Sequence, residues 1–213
     1  MEYNLIRSKR KTLVIKVLPD KTVLVKAPNK LSLQHINKFV NSKKEWIQKK
    51  QQLMQNNMLE IEKYSMLKQV LIFGNSYTIE EFISNFMKSN SYKKSLIINK
   101  NTIKKYMVQL ANSYILERAA ALAKELSLAY NGAKIMSSRR NWGSCNSLRQ
   151  LRFNFRLIML PKLLIDYVIC HELCHLKQMN HSKDFWKLLE NLGYKKTEVK
   201  QQFKQYSFVL QLF

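Results

Sequence analysis

The chain has 213 residues, 46% hydrophobic and 11% aromatic, enough for one sizeable core or two small ones and too apolar for a disordered chain. Its 37 Lys and Arg against 14 Asp and Glu give a formal charge of +23, a field that draws nucleic acid, nucleotides, acidic proteins or an anionic membrane. No apolar run is long enough to span a bilayer, and the polar stretch Met1 to Lys11 has no signal-peptide core, so a cytoplasmic location is expected.

Tyr3 to Arg7, Thr12 to Val17 and Thr22 to Ala27 alternate apolar and polar residues and predict three strands. A Pro19-Asp20-Lys21 turn joins the last two. Ser32 is placed to cap a helix bearing Ile36, Phe39, Val40, Trp46 and Ile47, which frays into polar Gln51 to Asn57. Val70 to Phe73 and Ser76 to Phe82 flank Gly74-Asn75 and predict a hairpin, and Ser95 to Ile98 predicts one more strand. Thr102 would cap a long helix, with Ile103, Met107, Leu110, Tyr114, Leu122 and Leu126 at helical spacing. Strands near Ala133 to Ser138 and Gln150 to Ile158 follow, joined by Asn141 to Cys145. Pro161 opens a helix that runs through His175, Ser182 and Gly193 bracket a short one, and Thr197 caps the last. Strands early and helices late predict an α+β fold. It would comprise a β-rich N-terminal region over 1–100, with a small antiparallel sheet and a helix, and a helical domain over 101–213 that has a short sheet beside the motif helix.

His171-Glu172-Leu173-Cys174-His175 is an H-E-x-x-H run on that predicted helix. Residues four apart stand one turn apart on one face, so both imidazoles can reach a single tetrahedral ion. Glu172 projects beside the ion, placed to take a proton from a water activated there and return it to a leaving group. Three of the four histidines fall within eleven residues, a clustering that packing does not explain. His181 can join the pair only if the helix stops, because a continuing helix would carry it about 9 Å onward and turn it roughly 240° from His175. Met179-Asn180 is the expected stop, since Asn tolerates the left-handed conformation that ends helices. Glu190 and Glu198 compete as third ligand, as in sites with two His and one Glu. His181 is preferred because it needs only a short turn. Three protein ligands leave a fourth position for water, so the expected chemistry is hydrolysis assisted by one Zn2+ per chain, zinc being inferred from ligand type.

Asp184 and Asn154 are candidates for orienting the imidazoles. Cys170 and Cys174 share a helix face and read as small buried hydrophobes; with Cys145 they make an odd set suited to a reducing compartment. Cys145 as a nucleophile is disfavoured, because the histidines that would activate it are committed to the ion. His35 reads as a surface residue.

The sequence resembles the YgjP-like family of zinc metallopeptidases, with kinship to gluzincin-like and SprT-like peptidases. The likeness rests on Ile6-Arg7-Ser8-Lys9-Arg10-Lys11 and Ser42-Lys43-Lys44-Glu45-Trp46-Ile47. It continues in Trp142-Gly143-Ser144-Cys145 with Asn154-Phe155-Arg156-Leu157, and in His171 to Trp186, including Asn180-His181-Ser182 and Phe185-Trp186. It implies a zincin-like catalytic domain, His171, His175 and His181 as zinc ligands, Glu172 as the base, and a peptide or protein substrate. It further implies that the strand before the motif helix lies at the cleft edge, where an extended substrate backbone pairs, and Arg156 or Tyr167 as stabilisers of the oxyanion. Arg140 and Trp142 complete the candidate substrate contacts, Trp142 and Gly143 reading equally as turn and packing elements. Asn141 stands where the family often has Arg, which argues against a basic contact there, and Phe155 where Trp is common. The spacing from His175 to His181 is also that of metzincins, but their turn glycine would fall at Gln178.

Two rival functions fit the same residues. A nucleotide or phosphoanhydride hydrolase would use the same water activation, its substrate drawn by the basic field and by Arg139, Arg140 and Arg156. A protease acting on nucleic-acid-bound protein would use the basic surface to hold the nucleic acid. The cations are mostly lysine, however, which fits a solvated surface, whereas sites built for phosphate favour arginine.

Overall fold

A computed structural model describes residues 1–65, 68–86 and 98–213. Of the strand expected at Ser95 to Ile98, residues 95–97 lie outside the described residues, and Ile98 belongs to no strand. The fold is α+β, in two compact units, Met1–Glu60 and Ile61–Phe213.

The first unit holds β1 (Asn4–Ser8), β2 (Val14–Val17), β3 (Val23–Pro28), α1 (Leu33–Ser42) and most of α2 (Lys44–Ser65). Its sheet has the order β1-β3-β2. β3 takes the centre because its alternating Val23, Val25 and Ala27 are all buried. The β2–β3 hairpin is antiparallel, as the Pro19-Asp20 turn demands. β1, however, pairs parallel with β3, Leu5 opposite Val25, so the sheet is mixed and not antiparallel as expected. With β3 central, the first and third strands lie side by side and run the same way. Ser32 caps α1 by accepting from the His35 amide at 3.3 Å. Ile36 and Val40 of α1 and Ile47 of α2 then close a core on the β3 side chains.

The second unit begins with β4 (Val70–Ile72), β5 (Asn75–Tyr77) and α3 (Ile79–Phe86). Residues 61–100, grouped on sequence with the N-terminal region, thus supply Tyr64, Val70, Leu71, Ile72 and Phe82 to the larger core. The hairpin turn falls on Phe73-Gly74, one residue earlier than expected, with both φ angles positive as a two-residue turn requires. Gly74 is also crowded: a Cβ there would stand 2.8 Å from Cγ of Pro161. The strand expected to reach Phe82 ends at Tyr77, because Thr78 and Glu81 form a reciprocal cap that starts α3.

Next come α4 (Lys100–Glu125), β6 (Gly132–Met136), β7 (Gly143–Cys145) and β8 (Gln150–Asn154), then a 3-10 helix at Phe155–Met159. Asn99, not Thr102, caps α4. Its buried stripe, Ile103, Met107, Ala111, Ile115, Ala119 and Leu122, follows helical spacing. The second sheet has the order β6-β8-β7, with β6 parallel and β7 antiparallel to β8. β7 lies in the segment read as a simple joiner and forms an edge, whereas β8, the strand before the motif helix and expected at an edge, is central because it pairs on both sides. Last are α5 (Lys162–Cys174), α6 (Lys183–Asn191) and α7 (Lys196–Gln205). Pro161 opens α5, and Lys195, not Thr197, precedes α7. Arg118 of α4 grips Asp166 of α5 with two bonds of 2.9 Å, from Nε and from a terminal nitrogen.

Candidate metal centre

α5 is buried on most of its circumference, and Leu164, Ile165, Val168, Ile169 and Leu173 lock its position in the core. That rigidity fixes His171 and Glu172 on its last turns, with His175 as its C-cap. The regular helix ends at Cys174 and one further turn follows, in which the Gln178 amide bonds the Cys174 carbonyl at 2.9 Å. Asn180 does not take the left-handed conformation expected of it. Its side chain accepts instead from the Ser182 amide at 3.3 Å, while Ser182 caps α6 and accepts from Gln178 Nε2 at 2.9 Å. This short, bonded return brings His181 back to the helix.

The three imidazoles meet. One nitrogen from each of His171, His175 and His181 lies within 4.8 Å of the other two. The Nε2 atoms of His171 and His181 are 3.0 Å apart, close to the roughly 3.3 Å edge of a tetrahedron with metal–nitrogen bonds of about 2.0–2.1 Å. Nδ1 of His175 faces the Gln178 carbonyl at 3.0 Å. The N–H belongs on that side, which leaves the lone pair of Nε2 for a cation. Nδ1 of His171 is buried without a hydrogen-bond partner. Burial and the two neighbouring imidazoles hold the His171 pKa down to about 4, and burial holds that of His175 down as well. Both shifts favour the neutral form of these two rings, the state a divalent metal needs.

Phe185, wholly buried, packs under the cluster, its ring centroid 4.8, 4.5 and 4.7 Å from those of His171, His175 and His181. Trp186 stacks on His181 at 5.6 Å and donates from its indole to the His181 carbonyl at 3.1 Å. Lys196 stands 3.7 Å from the centre of the Trp186 ring.

Glu172 is 6% exposed, and burial raises its carboxyl pKa to about 8. Its neighbour is Gly143 at the start of the edge strand β7. A Cβ on Gly143 would stand 2.6 Å from Oε1 and 2.8 Å from Cγ of Glu172. The glycine is there for space, a role that sequence reading assigned only to turn and packing. Phe185 as the floor of the cluster and the Gln178 carbonyl as the orienting acceptor were likewise missed. Asp184 is exposed on α6 and Asn154 bonds the Ser138 and Asn141 carbonyls, so neither orients an imidazole.

The other candidates separate clearly. Tyr167 packs on His171 at 5.8 Å, and burial, with Glu172 nearby, raises its phenol pKa. Trp142 is half-buried 5.8 Å from Phe203 of α7, which also meets Tyr167. Arg139 and Arg140 are exposed on the loop before Trp142. Arg156 is not a substrate contact. It is 1% exposed, and its guanidinium donates to the backbone oxygens of Leu212 and Phe213 at 2.6 and 2.8 Å and to Ser137 Oγ at 3.2 Å. That burial removes both the oxyanion role and the phosphate role considered for it. Glu190 is exposed, and Glu198 pairs with Lys195 at 3.2 Å; neither joins the imidazoles. Cys170 and Cys174 are buried, burial raising both thiols to about 11. Cys145 points its thiol at the Asn146 carbonyl at 3.6 Å. His35 is exposed.

Residues 11–206 match the family model described as YgjP-like, metallopeptidase domain. Among curated proteins, none matches the chain. A solved structure, that of the metallopeptidase zymogen of Methanocaldococcus jannaschii jannalysin, is similar at 24% identity over 43% of this chain and 95% of that one, with a TM-score of 0.37.

Proposed function

The chain belongs to the YgjP-like metallopeptidase family, and on that premise we propose that it hydrolyses peptide bonds with a zinc ion held by His171, His175 and His181 and Glu172 as general base. The observation that carries the reading is the convergence of three imidazole nitrogens within 4.8 Å of one another, with the buried Glu172 next to His171 on the same helix. The donor set fits zinc: three imidazoles without thiolate or carboxylate, one fewer than the four ligands of a tetrahedral ion. Bound there, the ion supplies Lewis acidity toward the scissile carbonyl and lowers the pKa of water.

The protein's own groups do the rest. Glu172 takes a proton from the attacking water and hands it to the departing amine. Its pKa, near 8 from burial alone, comes down when a cation is held close by, which leaves a carboxylate able to accept that proton. β7 is a sheet edge directly beside Glu172, a suitable rail for an extended substrate backbone. Tyr167, on the turn before His171, and Trp142, opposite Phe203, stand as aromatic walls for substrate side chains. No helix of the described residues is long and apolar enough to cross a membrane, and we read the protein as cytoplasmic.

The test is metal content and hydrolysis of a mixed peptide pool and of nucleoside triphosphates, for wild type and Glu172→Gln. One equivalent of zinc in both proteins, with peptide cleavage lowered at least about 100-fold in the variant, is expected. Unchanged cleavage in Glu172→Gln, or zinc absent from carefully prepared wild type, overturns the reading. Triphosphate cleavage lost in the variant would transfer the same machinery to the rival substrate class.

A further inference from the structure

The loop Ser137 to Trp142 sits between β6 and β7 and includes the exposed Arg139, Arg140 and Asn141. Left to itself, such a loop is the kind of segment that opens locally at little cost. Here it is held from beneath by two fully buried polar side chains. Asn154 is 0% exposed, and its Nδ2 donates to the Ser138 carbonyl at 2.6 Å and the Asn141 carbonyl at 2.9 Å. Its backbone N–H donates to the Trp142 carbonyl at 2.8 Å. Arg156 reaches the same loop, from Nη1 to Ser137 Oγ at 3.2 Å and to the Ser138 carbonyl at 3.4 Å. Oδ1 of Asn154 in turn accepts from the Arg156 backbone N–H at 3.2 Å and from its Nη1 at 3.4 Å.

Buried polar groups cost several kcal/mol unless satisfied, so a pair so fully engaged specifies one loop position. The residue that leaves this loop is Gly143, and the Glu172 carboxyl lies where its side chain would be. A shift of the loop therefore carries Gly143 against or away from the Glu172 carboxyl packed on it. Resting on the peptidase reading above, we propose that Asn154 and Arg156 are positioning residues that set the placement of the Glu172 carboxyl through the loop 137–142 and Gly143.

The experiment uses the full zinc-loaded chain and two variants, Asn154→Asp and Arg156→Lys. The first keeps size but removes both loop-directed side-chain N–H bonds; the second keeps charge and part of the donor set. Amide exchange by mass spectrometry is read over residues 137–145 and over 171–175, together with zinc content and kcat and KM on a cleaved peptide. The expected result for Asn154→Asp is exchange at least tenfold faster over 137–145 and unchanged over 171–175. One zinc is retained, and kcat falls by about tenfold or more with KM within a factor of two. Arg156→Lys falls between Asn154→Asp and wild type. Unchanged exchange over 137–145 overturns the proposal, and so does faster exchange with kcat per zinc unchanged. Loss of zinc also overturns it, since the pair would then act on the ligands and not on the base. Should the wild type cleave no peptide, the peptidase reading fails separately, and the exchange measurement still decides whether the pair holds the loop.

Discussion

A methyl group on residue 143 would need the space that the Glu172 carboxyl occupies, 2.6 Å from Oε1. Gly143→Ala is therefore expected to lower stability by about 1–3 kcal/mol through overpacking and kcat by about 100-fold, while zinc content stays at one. Denaturant unfolding, metal analysis and peptide kinetics check the three parts. The metal-free protein carries a second consequence of burial. Folded His171 resists protonation down to about 4 from its ordinary 6.5, and His175 is held down as well, so as pH falls below 6.5 the unfolded chain binds protons that the folded one refuses, and stability drops. Folded Glu172 keeps its proton up to about 8, against an ordinary 4.5, so between these values stability drops as pH rises. Below 6.5 the histidines and the carboxyl act in opposite directions; above it the carboxyl acts alone. Chelator-treated protein should thus lose stability as pH rises from 6.5 toward 8 in urea titrations, and Glu172→Gln should flatten that alkaline limb. The pairing of the two imidazoles behind this behaviour was legible in the sequence because helical spacing alone puts His171 and His175 on one face. Gly143, Phe185 and the Gln178 carbonyl were not, since their roles are spatial: a gap, a floor and a backbone acceptor have no residue pattern of their own.

At the scale of elements, the site depends on α5 being held against α4. Small residues Ala111 and Ala119 in the buried stripe of α4 permit close approach, and Arg118 adds a two-pronged grip on Asp166. Both partners are partly solvated, 35% and 20% exposed, so solvent screening leaves the pair a modest contribution. Arg118→Lys keeps the charge but loses the fork geometry. A loss of about 1 kcal/mol is expected in denaturant unfolding, with zinc content unchanged; a loss of zinc would mean that the grip also sets the ligand geometry. Elements with a local chemical signal were readable, as Ser32, Pro161 and Ser182 illustrate. The misread strand after Asn75 concealed a signal of its own, the Thr78 to Glu81 capping box. The parallel pairing of β1 with β3 left no trace, because alternation fixes which face is buried and not which neighbour a strand chooses.

On the scale of the whole molecule, the two units have separate cores, one around Val25, Ile36 and Ile47 and the other around Ile115, Phe153 and Ile165. All three candidate ligands belong to the second. A ligand stabilises only what unfolds with its site, by about 2.7 kcal/mol at a free concentration 100 times its dissociation constant. Unfolding is therefore expected in two steps and not one. Adding zinc to metal-free protein should move the protection of amides in α4 and α5 to higher denaturant and leave those of β3 and α1 in place. Exchange mass spectrometry across a urea series separates the outcomes. If amides of both cores shifted together, the molecule would be one cooperative unit despite its divided contacts. If neither shifted, the three imidazoles would not be holding the metal. A shift confined to residues 61–213 would tie the chemistry to that unit and leave the first, basic unit free to be altered by mutation without cost to the metal centre.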